Sequence, residues 1–136
     1  MTDAAGNVEL EVKEEESIGV LLKRLGGPGP TEIDAWKAQY GEAFVSAFSS
    51  TEVYVWRPLK RHEYRNLQLD LANPEKKMDN FDYEEAICVT CSLWPKLTAG
   101  FFANAKGGTP TSLAEQVMQN SNFFSPQQAA SFVMKL

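Results

Sequence analysis

The chain has 136 residues, 43% of them hydrophobic and 11% aromatic, with a formal net charge of −5. That length suits one compact domain with its own core, and no apolar run approaches the roughly 20 residues of a bilayer-spanning helix, which argues against a membrane protein. The opening MTDAAGNVELEV lacks the basic residues and apolar stretch of a secretory signal, so a cytoplasmic protein whose two cysteines stay as thiols is expected.

The charge is uneven. Residues 1–17 carry Asp3, Glu9, Glu11, Glu14, Glu15 and Glu16 against Lys13, and the remaining 119 residues carry twelve charges of each sign. An acidic arm on a neutral body does not supply the clustered positive charge that neutralises phosphates, so direct nucleic-acid binding is not expected.

In chain order, residues 1–16 are polar and acidic and read as flexible. SIGVLLKRLG follows, a short amphipathic piece capped by Ser17, showing Ile18, Leu21, Leu22 and Leu25 on one side and ended by Gly26. GGPGP at 26–30 then breaks regular structure, which sets residues 1–30 apart as an arm and linker and 31–136 as a single mainly helical domain. Thr31 caps a predicted helix, EIDAWKAQY, with Ile33, Trp36, Lys37 and Tyr40 on a shared face, and Gly41 stops it. EAFVSAF at 42–48 and VYVWR at 53–57 are β-rich and separated by Ser49 to Glu52, the pattern of a hairpin. After Pro58 a helix from about Lys60 to Ala72 spaces Tyr64, Leu67 and Leu71 along one face and turns Arg61 and Arg65 outward. Asn73-Pro74 breaks it. A further helix is predicted from an Asp82 cap to Leu93, halted by Trp94-Pro95, and Phe101 and Phe102 anchor the loop beyond. Thr109-Pro110 and Ser125-Pro126-Gln127-Gln128 mark two more helix starts, the second with a capping-box glutamine. The expected fold is therefore α+β and mostly α: a small helical domain with one short β-hairpin and a flexible N-terminal arm.

Candidate chemistry is sparse. Cys88-Val89-Thr90-Cys91 has the spacing of a redox pair or half a zinc site, but it falls late in a predicted helix, where the helix dipole does not lower a thiol pKa. His62, the sole histidine, has no marked nucleophile or orienting acid. No catalytic, cofactor-binding or metal-binding residue is named, and a non-enzymatic protein is expected, with a small thiol-dependent redox or metal-binding protein using Cys88 and Cys91 as the alternative. The stretch VYVWRPLKRHEYRNL is the richest in information. Arg57 can pair locally with Glu63 and leave the other bases solvated, or Trp56, Arg57, Lys60, Arg61, Tyr64 and Arg65 can form a basic, aromatic-rimmed face for another protein. The apolar side of the arm, Ile18, Leu21, Leu22 and Leu25, is a second candidate protein-binding element.

Trp36-Lys37 and Tyr40-Gly41 ahead of a short ribbon, an aromatic strand running into Arg57-Pro58-Leu59, Glu63-Tyr64 on the next helix, and Tyr83-Glu84-Glu85 running to Cys88 and Trp94-Pro95 form a connected set. On these the span from Trp36 to about Leu97 resembles the tail assembly and baseplate hub assembly chaperones of contractile-tailed bacteriophages. SLAEQVMQNSNF near the C-terminus is similar to the endings of such proteins. The resemblance implies a stoichiometric binder of phage tail or baseplate proteins; association with its own copies as a homo-oligomer is a separate candidate, and no cofactor is expected. It implies work in the host bacterial cytoplasm during assembly, or a place in the virion tail or baseplate.

Overall fold

The computed structural model describes residues 18–136, so the acidic stretch and its Ser17 cap lie outside the described residues. Within them the fold is α+β and mostly helical, with six α-helices, one 3₁₀ turn and a small antiparallel sheet ordered β1-β2-β3. The chain divides into two compact units, one ending at Val55 and the other running Trp56–Leu136.

In the first unit α1 covers 18–24 and is closed by glycines. Gly26 takes φ +74°, and the Gly27 N–H reaches back to the Leu22 carbonyl at 2.7 Å, the six-to-one bond of a Schellman ending. Leu22 is buried, as is Pro28 in the following turn, and the Arg24 guanidinium donates to the Ser50 carbonyl at 2.8 Å. The Gly/Pro run thus opens on a closed turn, because glycine's left-handed conformation lets the last carbonyls of α1 find donors.

Helix α2, Pro30–Tyr40, starts two residues earlier than expected: Gly29 is the cap and Pro30 the first helical residue, with Thr31 inside the turn. Proline suits that place because its φ is preset and its missing N–H would have had no partner there. Ile33, Trp36 and Tyr40 are half-buried on one face, and Gly41, at φ +82°, ends the helix with its N–H on the Lys37 carbonyl. The hairpin follows as β1, Phe44–Ala47, and β2, Val53–Trp56. Its loop is held by the Ser49 hydroxyl, which accepts the N–H groups of Thr51 and Glu52 at 3.2 and 3.0 Å. All four residues of β2 are buried, so the strand reads as a continuous apolar run and not as an alternation.

The second unit holds α3, Arg61–Ala72, and α4, Asn80–Cys91. Asp79 caps α4, not Asp82: its carboxylate accepts the Asp82 N–H at 2.8 Å while Asp82 accepts the Asp79 N–H at 3.2 Å, a reciprocal box. The helix stops at Cys91, and Ser92–Trp94 form β3, a strand the sequence reading assigned to the end of the helix. A 3₁₀ turn, Phe101–Asn104, buries Phe102 and leaves Phe101 exposed, so one of the two expected anchors holds. Helix α5, Thr109–Gln119, starts after Gly108 with no side-chain cap, and Thr109, expected as the capping residue, is buried. The short α6, Pro126–Ser131, is capped as expected by Ser125, which accepts the Gln128 N–H at 3.1 Å. Helix α4 packs on α5 and α3, and Ile87, Cys88, Cys91, Leu113 and Val117 are the fully covered side chains.

Candidate protein-binding face

The corner from β2 into α3 is built around one charged pair. Arg57 follows the last residue of β2, and its guanidinium meets the Glu63 carboxylate side by side, Nη1 to Oε1 at 2.5 Å and Nη2 to Oε2 at 2.8 Å. The same guanidinium donates to the carbonyls of Pro58 at 3.1 Å and Thr90 at 3.0 Å, joining the corner to the end of α4. Glu63 stands at the third position of α3, where its carboxylate also accepts the Lys60 N–H at 2.9 Å and faces the positive end of the helix. Burial by itself would raise the Glu63 pKa; the Arg57 hydrogen bonds, the Lys60 N–H and the Arg57 charge outweigh it and hold the carboxyl below its ordinary value.

Two further contacts fix the corner. The Leu59 N–H donates to the Ser121 hydroxyl at 2.8 Å, and that hydroxyl donates to the Val117 carbonyl at 2.6 Å, so the turn after Pro58 hangs on the end of α5. Tyr64 meets Phe123 edge to face, with ring centres 4.7 Å apart. The Arg61 guanidinium lies 5.8 Å from the Tyr64 ring centre, within cation–π range.

Of the six residues expected on the face, Lys60, Arg61 and Arg65 are exposed and Tyr64 is half-buried. Trp56 and Arg57 are corrected out of it, at 3% and 9% exposure. Trp56 is covered because both sides of β2 are, and Arg57 is withdrawn by its pairing with Glu63, the local ion pair that was the other reading of this stretch. The face therefore consists of exposed bases beside a half-buried aromatic, mounted on a corner that the charged pair holds rigid.

The second candidate element is partly committed already. In α1 and its closing turn Leu22 is buried and Ile18, Leu21 and Leu25 are half-buried, while Val20 on the other side is exposed. A shallow groove of about 870 Å³ runs between α1, Pro28 and Ile33, floored by Leu22.

Cys88 and Cys91 are free thiols one helical turn apart, both buried on α4. Burial, joined by the neighbouring Cys91 and the charges of Glu84 and Glu85, pushes Cys88 up to about 12; burial also takes Cys91 to about 12 against the lowering effect of Arg57. Burial of this kind disfavours the thiolate, the form in which a cysteine acts as nucleophile or metal ligand. Among the described residues no three His, Cys, Asp or Glu side chains are grouped as a metal site, and His62 is exposed. No helix among them is long and apolar enough to cross a membrane.

The sequence reading missed Leu69 and the groove between α4 and α5. Leu69 is 60% exposed one turn beyond Arg65, and the four-residue spacing Arg61, Arg65, Leu69 was the available signal. The groove, about 380 Å³, has no counterpart in any local pattern because its walls come from separate helices. No family model, curated protein or solved structure matches the chain.

Proposed function

We propose that this chain is a non-enzymatic phage tail or baseplate assembly protein, a chaperone or minor structural component that acts by binding other proteins. The observation that carries the binding reading is the exposed triad Lys60, Arg61 and Arg65 on a corner clamped by Arg57–Glu63 and by Ser121. Such a face loses little freedom on docking, and its arginines pair bidentately with carboxylates, so an acidic surface on a tail or baseplate protein is the partner it suits. The phage assignment rests on the resemblance over 36–97 and 112–123. Several residues that carry it have structural duties consistent with a shared fold: Arg57 and Glu63 form the buried pair, and Ser121 and Phe123 hold the corner. The site of action is then the host bacterial cytoplasm during assembly, or the finished particle if the protein stays bound, with neither membrane nor nucleic acid as a direct partner.

The test is pairwise capture with individually co-expressed tail and baseplate proteins. The variant Arg61→Glu with Arg65→Glu folds normally, since both side chains are exposed, and binds the partner roughly tenfold or more weakly with a flatter salt dependence. Capture equal to the parent's across a salt series sinks the face, and recovery of no tail or baseplate protein by the parent chain sinks the assembly role.

A further inference from the structure

The face on α3 continues past its bases. Arg61, Arg65 and Leu69 follow at four-residue intervals, so they form a stripe about 12 Å long on one side of the helix. All three are exposed, with the leucine 60% uncovered, so no described residue covers the stripe. A helix side that presents two guanidiniums followed by a bare leucine asks for a surface with two carboxylates next to an apolar floor.

The same unit carries one. The groove between α4 and α5 has Ile87, Ala114 and Met118 along its floor, Glu84 on the α4 wall and Glu115 on the α5 wall, with Tyr83 beside them. Each wall runs over eight residues, 80–87 and 111–118, about 10.5 Å of helix and close to the length of the stripe. Glu84 is already positioned: its Oε2 accepts from the Thr111 hydroxyl at 2.6 Å, which leaves Oε1 for an incoming donor. Glu115 is exposed and makes no ion pair among the described residues. Arginine suits this groove in both parts, since its methylene stem can lie on Ile87 and Met118 while its planar head reaches a carboxylate.

We infer that the Arg61–Arg65–Leu69 stripe of one copy docks in the α4–α5 groove of a second copy. Charge, apolar content and length match across the pair, and both halves belong to the same compact unit. The arginines meet Glu84 and Glu115, and Leu69 covers the floor near Met118. A contact of one helix side in one groove is below the size of a permanent interface, so the association is weak and concentration-dependent. A tail or baseplate protein that takes the basic face competes with it. This rests on the reading of α3 as a binding face and adds what the face binds when no tail protein is present.

Sedimentation velocity on the full chain, over a concentration series at low and high salt, tests it. The parent self-associates as concentration rises, and salt weakens the association. Arg61→Glu/Arg65→Glu and Glu84→Lys/Glu115→Lys each weaken it roughly tenfold or more, and mixing the two variants restores association between them because each supplies the charges the other has reversed. Leu69→Ala weakens it with no change in charge. Because Glu84 also bonds Thr111, Glu115→Lys alone serves as the variant that leaves that bond in place. A parent that stays monomeric through the series, or groove variants that associate as the parent does, overturns the inference. The binding reading is separable: Glu84→Lys/Glu115→Lys loses self-association yet still captures a tail protein, whereas failure of that reading removes tail-protein capture from the parent itself.

Discussion

Replacing Glu63 by Gln removes the countercharge from Arg57 while nearly preserving shape. The two side chains are 10% and 17% exposed, so the guanidinium would be left charged in a largely covered site with a neutral partner. Breaking a fully buried pair from one side costs about 3–5 kcal/mol. Here Arg57 keeps its bonds to the Pro58 and Thr90 carbonyls and Glu63 touches water at its rim, which brings the expected loss to about 2–3 kcal/mol. For a chain of this length that lowers Tm by roughly 8–12 °C. The pH dependence carries a sign. Since the folded carboxyl is held below its ordinary 4.5, the folded state stays ionised to lower pH than the unfolded chain; its stabilisation is complete above that value and is lost as pH falls through the folded value. Urea unfolding from pH 7 down to pH 3 therefore shows the parent losing stability on acidification, and Glu63→Gln losing less. A double-mutant cycle with Arg57→Met isolates the coupling. A loss under about 0.5 kcal/mol at pH 7, the range of exposed ion pairs, together with parallel pH profiles, would refute the buried-pair account.

The thiols give a second test: with both pushed up to about 12, a thiol reagent near neutral pH labels the folded protein far more slowly than the urea-unfolded chain. Because unfolded thiols ionise first, stability also falls as pH rises from about 9 towards 12, and labelling at the rate of a free thiol would contradict both statements. Ser121→Ala strands the Leu59 N–H and loosens the corner; chemical denaturation should register about 1–2 kcal/mol, and no change in stability would mean that the Leu59–Ser121 bond does not hold the turn. Gly26→Ala meets open space but keeps φ +74°, so its cost, about 1–2 kcal/mol, comes from the backbone alone, and an unaltered melting curve would show that the turn after α1 does not need that conformation.

What could be read from the chain is what neighbours in sequence decide. Gly26 and Gly41 as helix ends, the Ser49–Glu52 turn, Lys60 and Ser125 as helix starts and the outward bases Arg61 and Arg65 all follow from groups within a few residues of one another. The misplaced starts of α2 and α4 lie within one turn of the observed ones, because Pro30 and Asp79 competed with nearby residues that also suit a first turn. Burial and pairing were settled elsewhere. Ser92–Trp94 is a strand because another strand offers its hydrogen bonds, whereas its own composition extends the preceding helix equally well. Trp56 reads as an interface aromatic until both sides of β2 are covered. Arg57 reads equally as the local partner of Glu63 or as a surface base until the Thr90 carbonyl, 33 residues away, joins Glu63 in surrounding it. The groove of Glu84 and Glu115 forms only where α4 and α5 pack together. A residue's exposure depends on which distant segments come to lie on it, and no local spacing encodes that.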